Sequence, residues 1–208
     1  MRKITKGLLA ATALITLPTM AQAAVVTSNV SIAVPATVSG VYINLVTGVV
    51  ASTPASAPGW DINPWGSTSL NFWANNAASP NDGIVLSGST PADVAPGTVI
   101  DGSATFGRTP TGAPAFVGGG NHYFAFRFLN ESTGLLNFGY AAITTTAAAN
   151  GRPATITQLV YEDSGAAITV GADAGAVPEP ATWAMMVGGF GLLGFAARRR
   201  AKATVRFG

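Results

Sequence analysis

The sequence predicts an all-β exported domain, an antiparallel β-sandwich of jelly-roll-like type, between an N-terminal signal peptide and a single C-terminal transmembrane helix. Residues 24–177 are rich in Ala, Gly, Thr, Ser, Val and Asn and poor in Lys and Glu, which usually cover exposed helix faces. Their β-branched runs are bounded by Gly, Pro, Asn and Asp, as in short strands joined by turns. We therefore expect a signal peptide at 1–23, the sandwich at 24–175 and a C-terminal targeting segment at 176–208.

The first 23 residues contain the three parts of a secretory signal peptide: a positive n-region, an apolar h-region and a small-x-small cleavage site. The h-region is too short for a membrane anchor, since a spanning helix needs ~20 apolar residues. Cleavage is therefore expected between Ala23 and Ala24. The residues that carry the signal are Arg2, Lys3 and Lys6, then the apolar residues 8–17, then Ala21, Gln22 and Ala23.

The net charge of +2 conceals an acidic body. Residues 24–177 contain three basic side chains, Arg108, Arg127 and Arg152, against eight acidic ones, which gives a net charge of −5. Nucleic acid is therefore not an expected partner, because phosphate binding requires clustered Lys and Arg. The chain has no cysteine, so no disulfide can form. A body of this size can hold itself together as one domain by its packed core.

Seven runs in the body are predicted strands, and the clearest is 122–129. Its alternate residues from His122 to Phe128 fall on one face and are predicted to build the core. Turn-forming residues follow at 130–134 and again at 147–151, so 122–161 is predicted to be a three-stranded antiparallel meander. In chain order the predicted strands are 25–34, 38–50, 69–73, 83–87, 122–129, 135–146 and 154–161.

A Pro- and Trp-rich stretch, residues 54–81, predicts a long loop, and long loops are often functional. One interpretation is an aromatic platform with polar handles that binds a sugar ring. The alternative, which we favour, is that these indoles are core residues at one end of the sandwich, because large aromatic side chains mostly serve burial. The platform would comprise Trp60, Trp65 and Trp73, with Asp61 and Asn63 as the handles.

The C-terminal segment combines a rigid motif, an apolar run and a basic cluster. The prolines of Pro178-Glu179-Pro180 favour an extended backbone. Residues 181–197 carry no charge and would form a helix of about 25 Å, slightly shorter than the ~30 Å hydrocarbon core. The basic tail, 198–208, would remain cytoplasmic and leave the body outside. Interfacial Trp183 and the basic residues Arg198, Arg199 and Arg200 would bound the membrane segment.

The order Pro178-Glu179-Pro180-x-x-Trp183-Ala184, glycine-rich apolar run and arginine cluster resembles the PEP-CTERM sorting signal in its PEPxxWA variant. This chain departs from the pattern by eight further residues, 201–208. The resemblance implies a Gram-negative bacterium and an exosortase, a membrane-embedded protease with its own cysteine nucleophile, which recognises the motif and removes the tail. It further implies an inner-membrane-tethered intermediate, and then a place on the cell surface or in an exopolysaccharide or biofilm matrix.

The body also resembles a sandwich-like module common in PEP-CTERM proteins, at residues 123–128, 137–141 and 159–162, and this module implies no particular chemistry. His122 is the only histidine, and the spacing supplies no partner for a catalytic triad or a metal site. We therefore expect a non-enzymatic protein without cofactor or metal. The alternatives are a carbohydrate-binding module and a secreted carbohydrate-active hydrolase that uses two of the scattered acids.

Overall fold

The computed structural model describes residues 24–75, 82–108, 112–148, 150–172 and 189–190. The chain divides into two compact units, Met1–Val170 and Gly171–Gly208. The first is built from antiparallel strands, with two single-turn 3-10 helices at Pro54–Ser56 and Pro114–Phe116. The strands are β1 Val25–Val34, β2 Tyr42–Ile43, β3 Val50–Ala51, β4 Ile62–Trp65, β5 Asn71–Ala74, β6 Gly83–Ser87, β7 Thr90–Pro91, β8 Val99–Ile100, β9 Phe106–Gly107, β10 Gly120–Leu129, β11 Leu136–Thr145, β12 Ala154–Glu162 and β13 Ile168–Thr169.

The largest sheet has seven strands in the order β1-β12-β11-β10-β6-β7, with β9 also paired to β6. The predicted meander is confirmed, since β10 pairs with β11 and β11 with β12, both antiparallel. The first turn is closed by the Gly134 N–H, which donates to the Asn130 carbonyl at 2.7 Å. The second is closed by the Gly151 N–H, which donates to the Ala148 carbonyl at 2.8 Å.

A four-stranded antiparallel sheet, β3-β2-β4-β5, packs against one face of the large sheet. Phe124, Phe126 and Phe128 of β10 are fully buried against residues such as Ile62 and Phe72 of the smaller sheet. The prediction that the phenylalanine face of 122–129 builds the core is therefore confirmed. The arrangement is sandwich-like, because one face of the small sheet packs against one face of the large sheet.

The opposite face of the large sheet is also covered. Ala125, Tyr140 and Val160 belong to a second buried cluster, which includes Ile100 and Ile168 of the two-stranded sheet β8-β13. The central strands therefore bury both faces, which explains why β11 reads LNFGYAAITT with few polar residues. The sequence pattern predicted the first core but did not predict the second.

The connectivity differs from the jelly-roll-like arrangement expected from the sequence. Strands β2 to β5 stay in the small sheet, and β10 to β12 stay in the large one. Each sheet is thus built largely from consecutive strands, whereas a jelly roll is built from two Greek keys. The all-β class and the antiparallel pairing are confirmed.

Two predicted segments differ in detail. The predicted strand at 38–50 is interrupted, because the Asn44 side chain accepts the N–H groups of Val46 and Thr47 and makes a turn between β2 and β3. The predicted loop at 54–81 contains β4 as well as β5. Pro64 takes part in β4 by offering its carbonyl to the Val41 N–H at 3.0 Å, although proline normally weakens a strand prediction.

A buried arginine ties the two sheets together. Arg152 is 5% exposed, and its guanidinium donates to the carbonyls of Val34 at 3.1 Å and Pro35 at 2.8 Å, and also to the Gly66 carbonyl. Val34 ends β1 in the large sheet and Gly66 follows β4 in the small sheet. Burial lowers the pKa of Arg152 from its ordinary value. An arginine remains charged even so, and carbonyl oxygens accept from both of its terminal nitrogens, whereas its buried Nε has no hydrogen-bond partner among the described residues.

Candidate functional site

The strands β4 and β5 bring two predicted site residues together. Their register pairs Asn63 with Trp73 and Trp65 with Asn71. Because side chains alternate along a strand, Phe72 enters the core while Trp65 and Trp73 lie on the outer face of the small sheet. Their ring centroids are 4.6 Å apart with an interplanar angle of 55°. Both indoles are partly exposed, so this outer face presents a paired aromatic surface.

Trp60 does not join this pair. It packs edge-on against Tyr42, with ring centroids 5.0 Å apart and an interplanar angle of 77°. The three tryptophans of the predicted platform are therefore divided between two aromatic contacts. Spacing along the sequence could not show this, because it depends on the pairing of β4 with both β2 and β5.

The asparagines of the same strands are used internally. Asn63 is 1% exposed, and its Nδ2 donates to the carbonyls of Ser39 and Val41, each at 2.9 Å. Asn71 accepts the Gly112 N–H at 2.6 Å. Three buried polar atoms here have no hydrogen-bond partner among the described residues: Asn63 Oδ1, Trp65 Nε1 and Trp73 Nε1. One acceptor and two donors on this outer face are thus unused.

Asp61, a predicted polar handle, is 3% exposed and therefore buried. Its Oδ2 accepts the Leu45 N–H at 2.7 Å. Burial raises its pKa from 3.8 to about 8; the hydrogen bond from Leu45 opposes this shift, while Glu131 and Asp82 add to it. At neutral pH the side chain is largely a neutral acid. In this position Asp61 serves the interior more than a surface ligand.

The carboxyl groups near Asp61 also accept hydrogen bonds from other residues of the fold. Asn44 Nδ2 donates to Glu131 Oε1 at 2.6 Å and to the carbonyls of Pro58 and Gly59. Asp82 Oδ1 accepts the Leu129 N–H at 3.0 Å. Within the part of the chain that the structure describes, no group of three or more His, Cys, Asp or Glu side chains could hold a metal ion.

The buried acid gives a prediction for pH dependence. A raised pKa means that the folded state binds a proton that the unfolded state, with a pKa of ~3.9, releases. The contribution of Asp61 to stability is therefore fully present below about pH 4 and is lost as the pH rises toward 8. Asp61→Asn, which keeps an acceptor for the Leu45 N–H, is expected to remove this decline and to exceed wild type by roughly 1–3 kcal/mol at pH 8. Urea unfolding between pH 5 and pH 8 measures the difference.

Asp101→Asn is the matched control for this substitution. Asp101 is an exposed-loop acid whose pKa is lowered by hydrogen bonds from Ser103. Replacing Asp101 is not expected to remove the fall in stability as the pH rises toward 8. If the stability of wild type and of Asp61→Asn fell equally as the pH rose, the fall could not be assigned to Asp61.

His122 has a partner that sequence spacing did not supply. Its Nδ1 lies 2.7 Å from Asp93 Oδ2, and Asp93 Oδ1 accepts the Tyr123 N–H at 3.1 Å. Asp93 belongs to the segment after β7, 29 residues earlier, so only the fold brings the two together. Among the described residues, His122 Nε2 has no hydrogen-bond partner, so none of them supplies the nucleophile that a triad would need. We interpret it as an anchor for the start of β10.

The predicted sorting residues lie outside the described part of the chain: Pro178, Glu179, Pro180, Trp183, Ala184, Arg198, Arg199 and Arg200. So do Ala21 and Ala23, whereas Ala24 immediately precedes β1. Residues 176–200 match the family model of the PEP-CTERM protein-sorting motif. The chain carries a PEP-CTERM sorting motif. No curated protein and no solved structure matches the chain.

The PEP-CTERM motif indicates how this protein is exported and processed. Such signals are processed by an exosortase, a membrane protease, so the motif indicates export, a membrane-anchored intermediate and an exosortase partner. No helix among the described residues is both long and apolar enough to cross a membrane. Of the predicted helix at 181–197, the structure describes only Gly189 and Phe190, which are helical. The transmembrane helix and the signal peptide stay predictions.

Proposed function

We propose that this PEP-CTERM protein is exported, held by its C-terminal segment, processed by an exosortase, and left as a non-enzymatic component of the cell surface or the exopolysaccharide matrix. The observation that carries the proposal is the motif match over residues 176–200, which includes Pro178-Glu179-Pro180. A short apolar tail with a processing motif is the logic of a transient anchor that is later removed.

The use of the acidic side chains supports a non-enzymatic role. Asp61, Asp82 and Asp93 each accept a backbone N–H group. Glu162 accepts two, from Ser164 at 2.9 Å and Ala166 at 2.5 Å. These carboxyl groups stabilise turns and strand ends, whereas a glycoside hydrolase needs two of them flanking an open cleft.

The proposal is tested by intact mass of the protein from cells with and without the exosortase gene. We expect the full C-terminal segment to be retained when the gene is absent. An identical mass in both strains would contradict exosortase processing. Release of reducing sugar from the exopolysaccharide of the same cells would contradict the non-enzymatic role.

A second candidate function is the binding of a neutral glycan on the outer face of β4 and β5. The observation that favours it is the partly exposed Trp65–Trp73 pair. Aromatic faces pack against the apolar faces of sugar rings. A neutral glycan fits better than an anionic one, because the body carries a net charge of −5.

For this candidate, Trp65→Ala and Trp73→Ala are each expected to weaken retention on immobilised exopolysaccharide about tenfold, a loss of ~1.4 kcal/mol. Trp60→Ala is the matched control, because that ring contacts Tyr42 and lies outside the pair. Affinity electrophoresis in gels containing the polysaccharide measures the effect, and circular dichroism checks the fold of each variant. Equal weakening by all three substitutions, or none by any, would contradict binding at the Trp65–Trp73 pair.

A further inference from the structure

Ala24 and Asp163 are joined by two reciprocal hydrogen bonds. The Ala24 N–H donates to Asp163 Oδ1 at 3.0 Å, and the Asp163 N–H donates to the Ala24 carbonyl at 3.1 Å. They extend the ladder between β1 and β12 by one position beyond the pair Val25 and Glu162. The Asp163 carboxylate thus lies against the backbone nitrogen at which the edge strand β1 begins.

The predicted signal-peptide cleavage falls at this nitrogen. Hydrolysis of the Ala23–Ala24 peptide bond consumes one water molecule; its hydroxyl joins the Ala23 carbonyl carbon, and a proton goes to the Ala24 nitrogen. The new α-amine, with an ordinary pKa of ~7.7–8.0, takes up a further proton at neutral pH. An amide N–H that donated to a carboxylate becomes an ammonium beside the same carboxylate, so a hydrogen bond with one charged partner becomes an ion pair with two.

We propose that signal-peptide removal creates a structural ion pair between the Ala24 ammonium and the Asp163 carboxylate, and that this pair fastens the edge strand β1 only in the exported protein. The inference concerns the N-terminal end of the mature chain and is independent of exosortase processing at the other end. It rests on cleavage after Ala23, which the experiment below checks directly.

The turn that carries Asp163 is held in place without any contribution from the Ala24 nitrogen. Glu162 is 2% exposed and accepts the N–H groups of Ser164 and Ala166, one on each carboxyl oxygen. Its backbone belongs to β12, paired with Val25. A fixed turn reduces the side-chain entropy that usually makes exposed ion pairs weak. The Asp163 carboxylate is therefore held in a defined position beside the Ala24 nitrogen.

The ionisable groups around this end of the sheet are mainly acidic. Neither β1 nor residues 153–172 contain Lys or Arg. These segments contribute Asp163, Glu162 and Tyr161, and the pKa of Tyr161 is raised mainly by burial and then by the negative charges of Asp163, Asp61 and Glu131. An ammonium at Ala24 would thus enter a locally negative environment, which favours its charged form.

The ion pair between Ala24 and Asp163 would hold one end of an exposed edge strand whose other end is already held. Strand β1 is ten residues long, lies at the edge of the large sheet and exposes half or more of its residues. Its far end is held by Arg152, which donates to the Val34 carbonyl at 3.1 Å. A long edge strand that frays can pair with another chain. Ties at both ends would keep the exported protein from doing so.

The test uses the exported full chain, with its N-terminus read by sequencing and the pKa of the Ala24 amine measured by NMR. We expect sequencing to start at Ala24, and the amine pKa to be higher by ~0.2–0.7 than in Asp163→Asn. Asp163→Asn should also lower Tm by roughly 1–3 °C at pH 6 and low salt. Since a raised amine pKa stabilises below its unfolded value, this Tm difference should disappear as the pH rises above about 9.

Two controls separate the ion pair from a hydrogen bond. Asp101→Asn removes an exposed charge elsewhere and should leave the amine pKa unchanged. Acetylation of the Ala24 amine keeps an N–H donor but removes the charge, so Asp163→Asn should then have little effect on Tm. Equal amine pKa values in wild type and Asp163→Asn, an undiminished Tm effect after acetylation, or a different N-terminal residue would each overturn the proposal. None of these outcomes bears on the exosortase test.

Discussion

Glu179→Ala is expected to leave the C-terminal segment on the protein. The motif Pro178-Glu179-Pro180 joins the body to the apolar run, and its charged residue is the one polar side chain between two rigid prolines. The variant should therefore retain about 3 kDa that the processed wild type has lost, since 208 residues weigh 20.9 kDa and about thirty follow the motif. Intact mass of the exported protein measures this directly.

Thr182→Ala is the matched control, because it lies within the same motif at a position that the PEPxxWA pattern leaves variable. It should be processed like wild type. Deletion of 178–200 removes both motif and apolar run, so that protein should be released without passing through a membrane-held form. Identical masses for wild type and Glu179→Ala, or a processing failure in Thr182→Ala, would contradict recognition at the motif.

Gly139→Ala is expected to destabilise the body by roughly 3 kcal/mol or more, as overpacking does in a closed core. Gly139 lies in β11 opposite Phe126 of β10. A methyl group there would lie 2.5 Å from Phe126 Cε2 and 2.6 Å from the Val160 carbonyl oxygen. Phe126 is fully buried, so neither its ring nor the neighbouring backbone can move aside cheaply. Urea unfolding monitored by tryptophan fluorescence measures the loss.

Gly102→Ala provides the comparison. A methyl group at Gly102 would meet no atom within 4 Å, and that residue does not require a positive φ. It should change stability by no more than about 0.5 kcal/mol. If the two substitutions had equal effects, close packing of Phe126 over Gly139 would not be a main support of the central strands.

The sequence predicted the strands that carry strong alternation and failed where the signal is short. Residues 122–161 gave the meander because three long runs are separated by recognisable turns. Strands β7, β8, β9 and β13 have two residues each, too few to show a period of two. Strand β4 was hidden by its proline, whose carbonyl still pairs with Val41.

The candidate site was only half predictable for a related reason. Composition singled out Trp60, Trp65 and Trp73, but not which of them would meet. Cross-strand register placed Trp65 beside Trp73 and left Trp60 on Tyr42. The same holds for His122 and Asp93, and for Ala24 and Asp163, which are 139 residues apart. Contacts of this kind depend on strand order, which no local pattern encodes.

The sequence by itself determined that this protein carries a PEP-CTERM sorting motif, because that motif is defined by consecutive residues and does not depend on packing. It also determined the all-β class, since alternation and turn residues act locally. The tertiary structure alone decided that the large sheet buries a second face, that Asp61 is buried and that the Asp163 carboxylate lies beside the Ala24 nitrogen. These depend on burial and on strands distant in sequence, so their chemistry arises only when the sheets have packed.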